Sequence, residues 1–369
     1  MKNTFGQSVS VTLFGESHGK AVGAVIDALA PGVEISGERI ARKLAKRAPQ
    51  GENETARREN DRFEILSGVF NGKSTGSPIA ILIPNEDLNS GDYEYGVARP
   101  SHADYAAFTK YHGFEDYRGG GHFSGRITAA IVAAGAIFET ALENLNVRIG
   151  SHILRCGSAT DREFENVEAD LEWLSCAAAP ILEAKSEKKI NEVIAKAKAA
   201  GDSVGGSVQT GVIGLPAGLG EPWFDSVESV LSHALFSIGG IKGVEFGAGF
   251  EGCTWRGSKF NDALRMENGV VTTRTNHNGG INGGITNGMP LVFQCAVRPT
   301  PSIAQRQETV DFLHGTETDI EIHGRHDPAI LRRVCPVIDS VTAFVLCDLL
   351  AQRYGTDVFT KGVGKCNTD

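Results

Sequence analysis

Clustered glycines constrain this chain more than any other feature of its sequence. There are 45 glycines but only 13 prolines among 369 residues. Many of the glycines flank polar side chains in short segments, notably GESHG at 15–19, RGGGHFSG at 118–125 and NHNGGINGG at 276–284. Glycine adopts backbone conformations closed to other residues and lets a ligand approach the main chain. The chain therefore needs many tight turns or close backbone approaches.

The composition indicates a soluble globular protein with a substantial core, since 41% of residues are hydrophobic and 22% are charged. A formal net charge of -9 argues against nucleic acid or an anionic membrane as partner. We find no run of about 20 apolar residues and no secretion signal, and we expect a cytoplasmic protein. The seven cysteines are odd in number and never form a C-x-x-C pair, which favours reduced thiols.

Residue periodicity predicts a mixed α and β chain. Strands are predicted at 7–14, 207–214, 244–250, 290–297 and 318–323, and a hairpin with a turn at Asn71-Gly72, followed by a strand, is predicted over 63–84. Helices are predicted at 36–49, 126–148, 186–201, 225–240 and 336–355. Asp225 and Glu228 have capping-box spacing, and Pro336 suits a first helical position. No repeat, linker or charge run divides the chain, so we expect a single compact domain over 1–369.

Two histidines are candidates for proton transfer because imidazole titrates near neutrality. His18 lies in GESHG and His102 in ARPSHADY. Taken singly, each is equally well explained as a hydrogen-bonded structural histidine. Asp327, two residues after an arginine, is more often an ion-paired or capping aspartate than a catalytic one.

The triple glycine precedes a predicted helix, and the N–H groups of a helix N-terminus suit a phosphate. Arg118 and Arg126 could add charge-assisted hydrogen bonds to that anion. The alternative is a flexible turn with a helix cap. A metal site at His323 and His326 is disfavoured because no third ligand has a diagnostic spacing and an arginine is adjacent.

Together these segments predict a site for a small molecule with several negative charges. Arginines would bind phosphate or carboxylates, histidines would transfer protons, and glycine loops would admit a planar cofactor. The residue chemistry by itself does not name the cofactor.

Seven segments, in the same order and across nearly the whole chain, resemble the chorismate synthase family. They are GESHG (15–19), RPSHAD (99–104), YRGGG with S-x-R (117–126), SIGG-x-KGVEFG-x-GF (237–250), NH-x-GG-x-x-GG (276–284), RPT (298–300) and GRHDP (324–328). The resemblance implies an α+β fold, a layered β-α-β sandwich, and a homotetramer. It also implies a lyase of the shikimate pathway.

Such enzymes convert 5-enolpyruvylshikimate 3-phosphate to chorismate by 1,4-anti elimination of phosphate and a C6 hydrogen. They use reduced FMN without net redox change, and NADPH would act only indirectly, through flavin reduction. By position, the resemblance implies that His18, with Ser17 beside it, protonates or binds the leaving phosphate. His102 would control protonation of the reduced flavin, and Asp327 with Ser124 would manage the proton at flavin N5.

The resemblance also assigns binding residues. Those implied for the substrate anions are Arg47, Arg99, Arg126 and Arg325. Those implied for the flavin are His122, Phe123, Ser124, Gly239, Gly240, Gly283, Arg298, Pro299, Thr300, Pro301, Ser302 and Arg325.

This sequence departs from the family pattern in its glycine loop. The family usually has GGGRSSARET where this chain has GGGHFSGRIT, with Arg298 replacing a lysine and Gly239-Gly240 replacing an Asn-Ala or Pro-Ala pair. Two alternatives to the lyase remain open. One is a phosphate-ester hydrolase that uses the same arginines and histidines and needs no flavin. The other, suggested by the altered loop, is a non-catalytic relative that binds flavin or another anion.

Overall fold

The computed structural model describes residues 2–51, 54, 61–86, 94–322 and 327–362. Its strands are β1 (Thr4–Phe5), β2 (Ser10–Gly15), β3 (Ala21–Asp27), β4 (Glu64–Ile65), β5 (Val69–Phe70), β6 (Lys73–Ser74), β7 (Ile79–Pro84), β8 (Arg148–Cys156), β9 (Ala159–Thr160), β10 (Gly206–Ile213), β11 (Ile241–Phe246), β12 (Leu264–Glu267), β13 (Val270–Thr273), β14 (Ile281–Asn282), β15 (Ile285–Thr286), β16 (Leu291–Val297), β17 (Arg306–Asp311) and β18 (Thr316–Glu321).

The α-helices are α1 (Gly37–Arg47), α2 (Asp104–Tyr111), α3 (Thr128–Glu143), α4 (Val167–Cys176), α5 (Ala184–Ala199), α6 (Val227–Leu235), α7 (Gly249–Gly252), α8 (Gly257–Phe260), α9 (Leu331–Tyr354) and α10 (Val358–Lys361). Short 3₁₀ segments cover Arg118–Phe123, Gly125–Ile127 and Trp223–Asp225.

Two five-stranded antiparallel sheets form the framework. The first has the strand order β1-β2-β3-β7-β4, and the second has the order β11-β16-β10-β8-β9. The remaining strands form two-stranded ribbons: β5–β6, β12–β13, β14–β15 and β17–β18. Alternation gives β7 one core face, where Ile79, Ile81 and Ile83 are buried.

Helices fill the space between the sheets. Helix α3 packs against β3 and β7 of the first sheet, whereas α9 packs against β8 and β10 of the second. The two helices also pack against each other, and α1 contacts both. The chain is therefore an α+β layered β-α-β sandwich, as the sequence resemblance implied. Its organisation as a single domain stays a prediction.

The contact between α3 and α9 is unusually close because one of the facing residues is a glycine. A Cβ built on Gly135 of α3 would lie 2.2 Å from the Cβ and 2.7 Å from the Cα of Ser340 in α9. Ser340 is 1% exposed, and its hydroxyl donates a 2.6 Å hydrogen bond to the Pro336 carbonyl. Only glycine at 135 allows the two backbones to approach this far.

Helix α9 also anchors the segment that leads into β2. The Asp348 carboxylate, which is 1% exposed, accepts hydrogen bonds from the backbone N–H groups of Gln7, Ser8 and Val9 at 2.7 to 3.1 Å. Hydrogen bonds to a charged acceptor are stronger than neutral ones. The strand that ends at GESHG is thus fixed to the central helix.

Most predicted elements are confirmed within a few residues, including the turn at Asn71-Gly72. These two residues have φ of +49° and +71°, as a two-residue hairpin turn requires. The hairpin joins β5 to β6, and the strand predicted after it is β7, which pairs with β3 and β4.

Three details of the helix predictions are wrong. Pro336 is the sixth residue of α9, which begins at Leu331, because burial of the helix outweighs the loss of one backbone hydrogen bond at proline. The N-cap of α6 is Ser226, whose side chain accepts from Ser229 N, because Asp225 belongs to a 3₁₀ turn. Helix α3 ends at Glu143, so residue 148 already lies in β8.

Two helical segments are long and apolar enough to cross a bilayer, although the sequence analysis found no run of that length. They cover Gly125–Glu143 and Leu331–Tyr354. However, 72% and 94% of the residues in their most apolar windows are buried within the protein. Their apolar composition is explained by their place between the two sheets.

Replacing Gly135 with alanine should weaken the fold. We expect the free energy of unfolding to fall by about 1–3 kcal/mol, the usual range for overpacking, despite alanine's higher helix propensity. Urea denaturation measures this. Gly37→Ala in α1 is the matched control, since its Cβ would have only Phe63 at 3.8 Å. Equal stability of the Gly135→Ala variant and the wild type would contradict the close packing.

Candidate active site

The GESHG segment and the triple glycine pack directly against each other. The backbone N–H of Ser17 donates a 3.0 Å hydrogen bond to the carbonyl of Gly121. Gly119 has φ +59°, and a Cβ there would lie 2.6 Å from His18 Nε2 and 2.9 Å from Ser17 Oγ. A side chain at Gly119 would therefore displace both polar groups, which explains the glycine at this position.

Ser17 and His18 are buried side by side, with exposures of 0% and 7%. The hydroxyl of Ser17 has no hydrogen-bond partner among the residues that the structure describes. A buried hydroxyl without a partner is unfavourable by roughly 1–3 kcal/mol. Ser17 Oγ is therefore suited to contact a polar group of a ligand.

The residues after the triple glycine have mixed environments. The His122 ring donates from Nδ1 to the Gly15 carbonyl at 2.7 Å. Phe123 is 50% exposed and contacts Tyr111 edge to face. The half-buried Ser124 accepts a 3.3 Å hydrogen bond from the backbone N–H of Arg126.

Two of the arginines assigned to substrate are joined by a carboxylate. Arg47 NH1 lies 3.0 Å from Asp61 Oδ2, and Arg126 NH1 donates to Asp61 Oδ1. The side chains of Arg47, Arg126 and Asp61 are only 8%, 4% and 7% exposed. The cluster carries two positive charges and one negative charge, so it suits an anion.

Asn85 connects this cluster to GESHG. Its side-chain amide donates to the carbonyls of Glu16 and Gly19 at 2.9 Å, and its Oδ1 accepts from Arg126 Nε at 2.9 Å. The buried arginines and the Ser17–His18 pair therefore belong to one site.

A second group of candidate residues contains Arg99, His102 and Ser302. Arg99 is held by Asp104 through a two-point ion pair at 2.7 and 2.8 Å. His102 Nδ1 lies 3.1 Å from the Pro100 carbonyl, and Nε2 lies 2.8 Å from Ser302 Oγ. Since a carbonyl can only accept, Nδ1 carries the hydrogen and Nε2 accepts from the serine hydroxyl.

The His102 imidazole is neutral at physiological pH. Burial is the main cause, and the positive charges of Arg99 and Arg298 add to it, so the pKa of His102 falls from 6.5 to about 4. The Pro100 carbonyl and Asp104 oppose this shift but do not overcome it.

The RPTPS segment lies beside His102 and the Gly239-Gly240 pair. The backbone N–H of Arg298 donates to the Gly240 carbonyl at 2.9 Å, and its guanidinium donates to the Ser101 carbonyl at 3.3 Å. The Thr300 hydroxyl is buried without a partner among the described residues. A Cβ at Gly239 would meet no atom within 4 Å, so this glycine borders open space.

Asp327 is held by a residue of α9. Arg333 NH1 donates to Asp327 Oδ2, and Arg333 Nε donates to the Arg47 carbonyl at 3.0 Å. The Val204 N–H donates to the carbonyl of Pro328 at 2.8 Å. Asp327 is therefore linked through Arg333 to the buried arginine cluster.

Two further candidates have defined local surroundings. Gly283 lies in the turn between β14 and β15. Its φ of +62° and that of Gly284, +86°, fit a tight hairpin turn. Arg118 is ion-paired with Asp116 at 2.8 Å.

Some candidates cannot be followed into the structure. His323, Arg325 and His326 lie outside the described residues. Among the described residues, no group of three or more histidine, cysteine, aspartate or glutamate side chains could hold a metal ion.

Three residues of the site were not predicted from the sequence: Asp61, Asn85 and Arg333. Asp61 and Asn85 stand outside the glycine-rich segments and have no diagnostic spacing to other polar residues. Arg333 was visible only as one of a pair of arginines after Asp327. Their roles depend on contacts between distant parts of the chain.

Comparisons with known proteins agree on one family. A family model described as Chorismate synthase matches residues 9–351. Chorismate synthase from Thermococcus gammatolerans is 44% identical over 351 residues, covering 94% of this chain and 97% of that protein. The enzyme of the same name from Methanocella arvoryzae is 45% identical, covering 94% and 93% of the two chains. A crystal structure of chorismate synthase is similar with a TM-score of 0.78 and 28% identity, covering 98% of this chain and 97% of that one.

The low pKa of His102 gives a spectroscopic prediction. In the ligand-free protein, its imidazole should stay neutral down to about pH 5 and protonate with a pKa of about 4. Histidine ring signals followed by NMR across pH 4–8 test this, with a His102→Gln variant to assign the resonance. Titration of that signal near 6.5 would contradict the burial argument.

The same shift predicts how stability depends on pH. An unfolded histidine has a pKa of about 6.5, so the unfolded state binds this proton before the folded state does. The free energy of unfolding should therefore decrease as the pH falls from 6.5 toward 4. That of the His102→Gln variant should decrease less over the same interval. Urea denaturation at pH 7 and pH 5 compares the two proteins.

Proposed function

This chain belongs to the chorismate synthase family and has the function of a chorismate synthase, and from that premise we propose how its residues act. The reaction is the 1,4-anti elimination of phosphate and a C6 hydrogen from 5-enolpyruvylshikimate 3-phosphate, a carbon–oxygen lyase step of the shikimate pathway. It uses reduced FMN without net redox change, and NADPH takes part only indirectly, through flavin reduction.

The observation that carries this proposal is the connection of two buried arginines to the segment that contains Ser17 and His18. Arg47 and Arg126 are almost fully buried on either side of Asp61. Asn85 joins that cluster to GESHG. Charge-assisted hydrogen bonds in a buried site suit a substrate with one phosphate and two carboxylates. Arg99 adds a further positive charge, and Arg325 completes the proposed set of substrate-binding arginines.

His18 and Ser17 are proposed to act on the leaving phosphate. A protonated imidazole at His18 would donate a hydrogen bond or a proton to the phosphate oxygen as the C–O bond breaks. Ser17 Oγ, which is buried without a described partner, would donate to the same group. Gly119 keeps side-chain atoms away from both.

The residues near His102 fit a flavin, since the buried Thr300 hydroxyl has no described partner and Gly239 borders open space. The proposed flavin-binding residues are His122, Phe123, Ser124, Gly239, Gly240, Gly283, Arg298, Pro299, Thr300, Pro301, Ser302 and Arg325. Reduced FMN, when bound, supplies an electron-rich ring that favours departure of phosphate.

His102 is proposed to gain a proton only when anionic ligands bind. Burial is the main cause of its low pKa, and Arg99 and Arg298 lower it further, so negative charge bound next to these arginines would offset their part and raise that pKa. Asp327, ion-paired with Arg333, is proposed to act with Ser124 on the proton at flavin N5.

We also propose a homotetramer in the cytoplasm. Large apolar side chains that a partner copy could cover are exposed on this chain, including Trp223 (84%), Phe224 (91%) and Phe250 (79%). Light scattering of the purified protein measures the proposed assembly.

The cysteines support the proposed location. The six described cysteines are free, which agrees with a reducing compartment.

An anaerobic assay tests the reaction. The purified protein is incubated with 5-enolpyruvylshikimate 3-phosphate and photoreduced FMN, and chorismate and phosphate are measured together. We expect both products in equal amounts and neither without flavin. Phosphate released without flavin would indicate the hydrolase instead. Ligand binding without any product would indicate the non-catalytic relative. Membership of the family favours neither alternative.

Alanine substitutions test the two histidines. His18→Ala and His102→Ala should each lower kcat by about 10²-fold or more, the usual scale for a lost general acid or base. His314→Ala is the control, because this histidine is 76% exposed and pairs only with Asp311 among its described neighbours. Wild-type turnover in either histidine variant would refute its assigned role.

A further inference from the structure

We propose that Asp61 is a positioning residue for this reaction, holding the two buried guanidiniums in the arrangement that binds the substrate's anionic groups. This rests on the proposed function of Arg47 and Arg126. The sequence resemblance assigned no role to Asp61, which comes from a different segment than either arginine.

The geometry makes Asp61 a bridge. One carboxylate oxygen faces Arg47 at 3.0 Å and the other accepts from Arg126. The three side chains are 4% to 8% exposed, so solvent screens their charges little. The carboxylate lies between two guanidiniums, whose like charges repel each other in a medium of low dielectric constant.

The remaining contacts fix each arginine to a different element. Arg47 extends from α1, and it donates from Nε to Thr128 Oγ1 at 2.8 Å and from NH2 to the Gly125 carbonyl at 3.2 Å. Arg126 donates from Nε to Asn85 Oδ1 and from NH2 to the Pro84 carbonyl, both at 2.9 Å.

All of those other acceptors are neutral. Asp61 is thus the charged contact that joins the α1 arginine to the loop arginine among the described residues. Because a carboxylate repels an anionic substrate, Asp61 acts through the arginines and not by touching the substrate.

The Asp61→Asn variant distinguishes a role in positioning the arginines from a role in stability alone. The amide has the same shape, but it can accept from only one arginine and turns N–H groups toward the other. Since the arginines bind the substrate before and during the reaction, the variant should raise KM by roughly 10- to 100-fold, the scale of one lost charge-assisted hydrogen bond. The value of kcat should change by less than about threefold. Asp61→Glu keeps the charge and should have a KM between those of the wild type and Asp61→Asn.

Asp170→Asn is the matched control. Asp170 also accepts from an arginine, Arg162, with an Asp170 side-chain exposure of 8%, but it lies in α4. This variant should lose stability without a change in KM. Thermal unfolding of all variants separates the two effects.

Inorganic phosphate gives a readout that does not depend on turnover. Phosphate should raise the Tm of the wild type, and Asp61→Asn should need roughly tenfold more phosphate for the same rise. No turnover by the wild type would count against the proposed function, whereas equal phosphate protection in both proteins would count against the role of Asp61.

A folded Asp61→Asn protein with KM within twofold of the wild type would overturn the inference. A fall in kcat at unchanged KM would overturn it as well, because it would place the effect outside anion binding. If Asp61→Asn does not fold, Asp61→Glu decides: a KM equal to that of the wild type, with equal phosphate protection, refutes the role.

Discussion

The close approach of α3 and α9 is the contact on which the rest of the structure depends. Gly135 brings the two backbones together against Ser340, and each helix then supports one of the two sheets. The same contact sets the positions of the site. Helix α3 begins at Thr128, directly after the loop with the triple glycine, while α9 carries Arg333 and anchors residues 7–9 through Asp348. The two helices that form the centre of the core therefore also position the segments of the site.

In the site, the backbone of the triple-glycine loop lies directly against the GESHG segment. Gly119 lies where any Cβ would collide with His18 and Ser17, and the Gly121 carbonyl binds the Ser17 N–H. Glycine thus lets two loops meet with their polar groups buried between them. Asn85 then extends this contact to Arg126, so that the His18 segment and the buried arginines are joined by hydrogen bonds.

The candidate site is rich in positive charge, although the whole molecule is negatively charged. The chain has a formal net charge of -9, yet buried arginines dominate the site. Asp61 and Asp104 each hold arginines in place, which limits the net positive charge while keeping the guanidiniums oriented. Burial, together with the positive charges of Arg99 and Arg298, lowers the pKa of His102 to about 4. Arg99 therefore lies both beside a neutral histidine and in an ion pair with Asp104.

The sequence by itself determined the local chemistry and much of the local structure. Positive φ at Asn71-Gly72, the glycine loop before α3 and the apolar alternation of the strands follow from residues close together in the chain. The segments with His18, His102 and Arg126 were also recognisable as candidate site residues. Contacts between distant segments, which the sequence did not reveal, join Arg47 to Arg126 through Asp61 and hold Asp327 against Arg333. Burial likewise decided that α9 continues through Pro336. Periodicity and spacing report on neighbours within a few residues, whereas these features depend on side chains that folding brings together from distant segments.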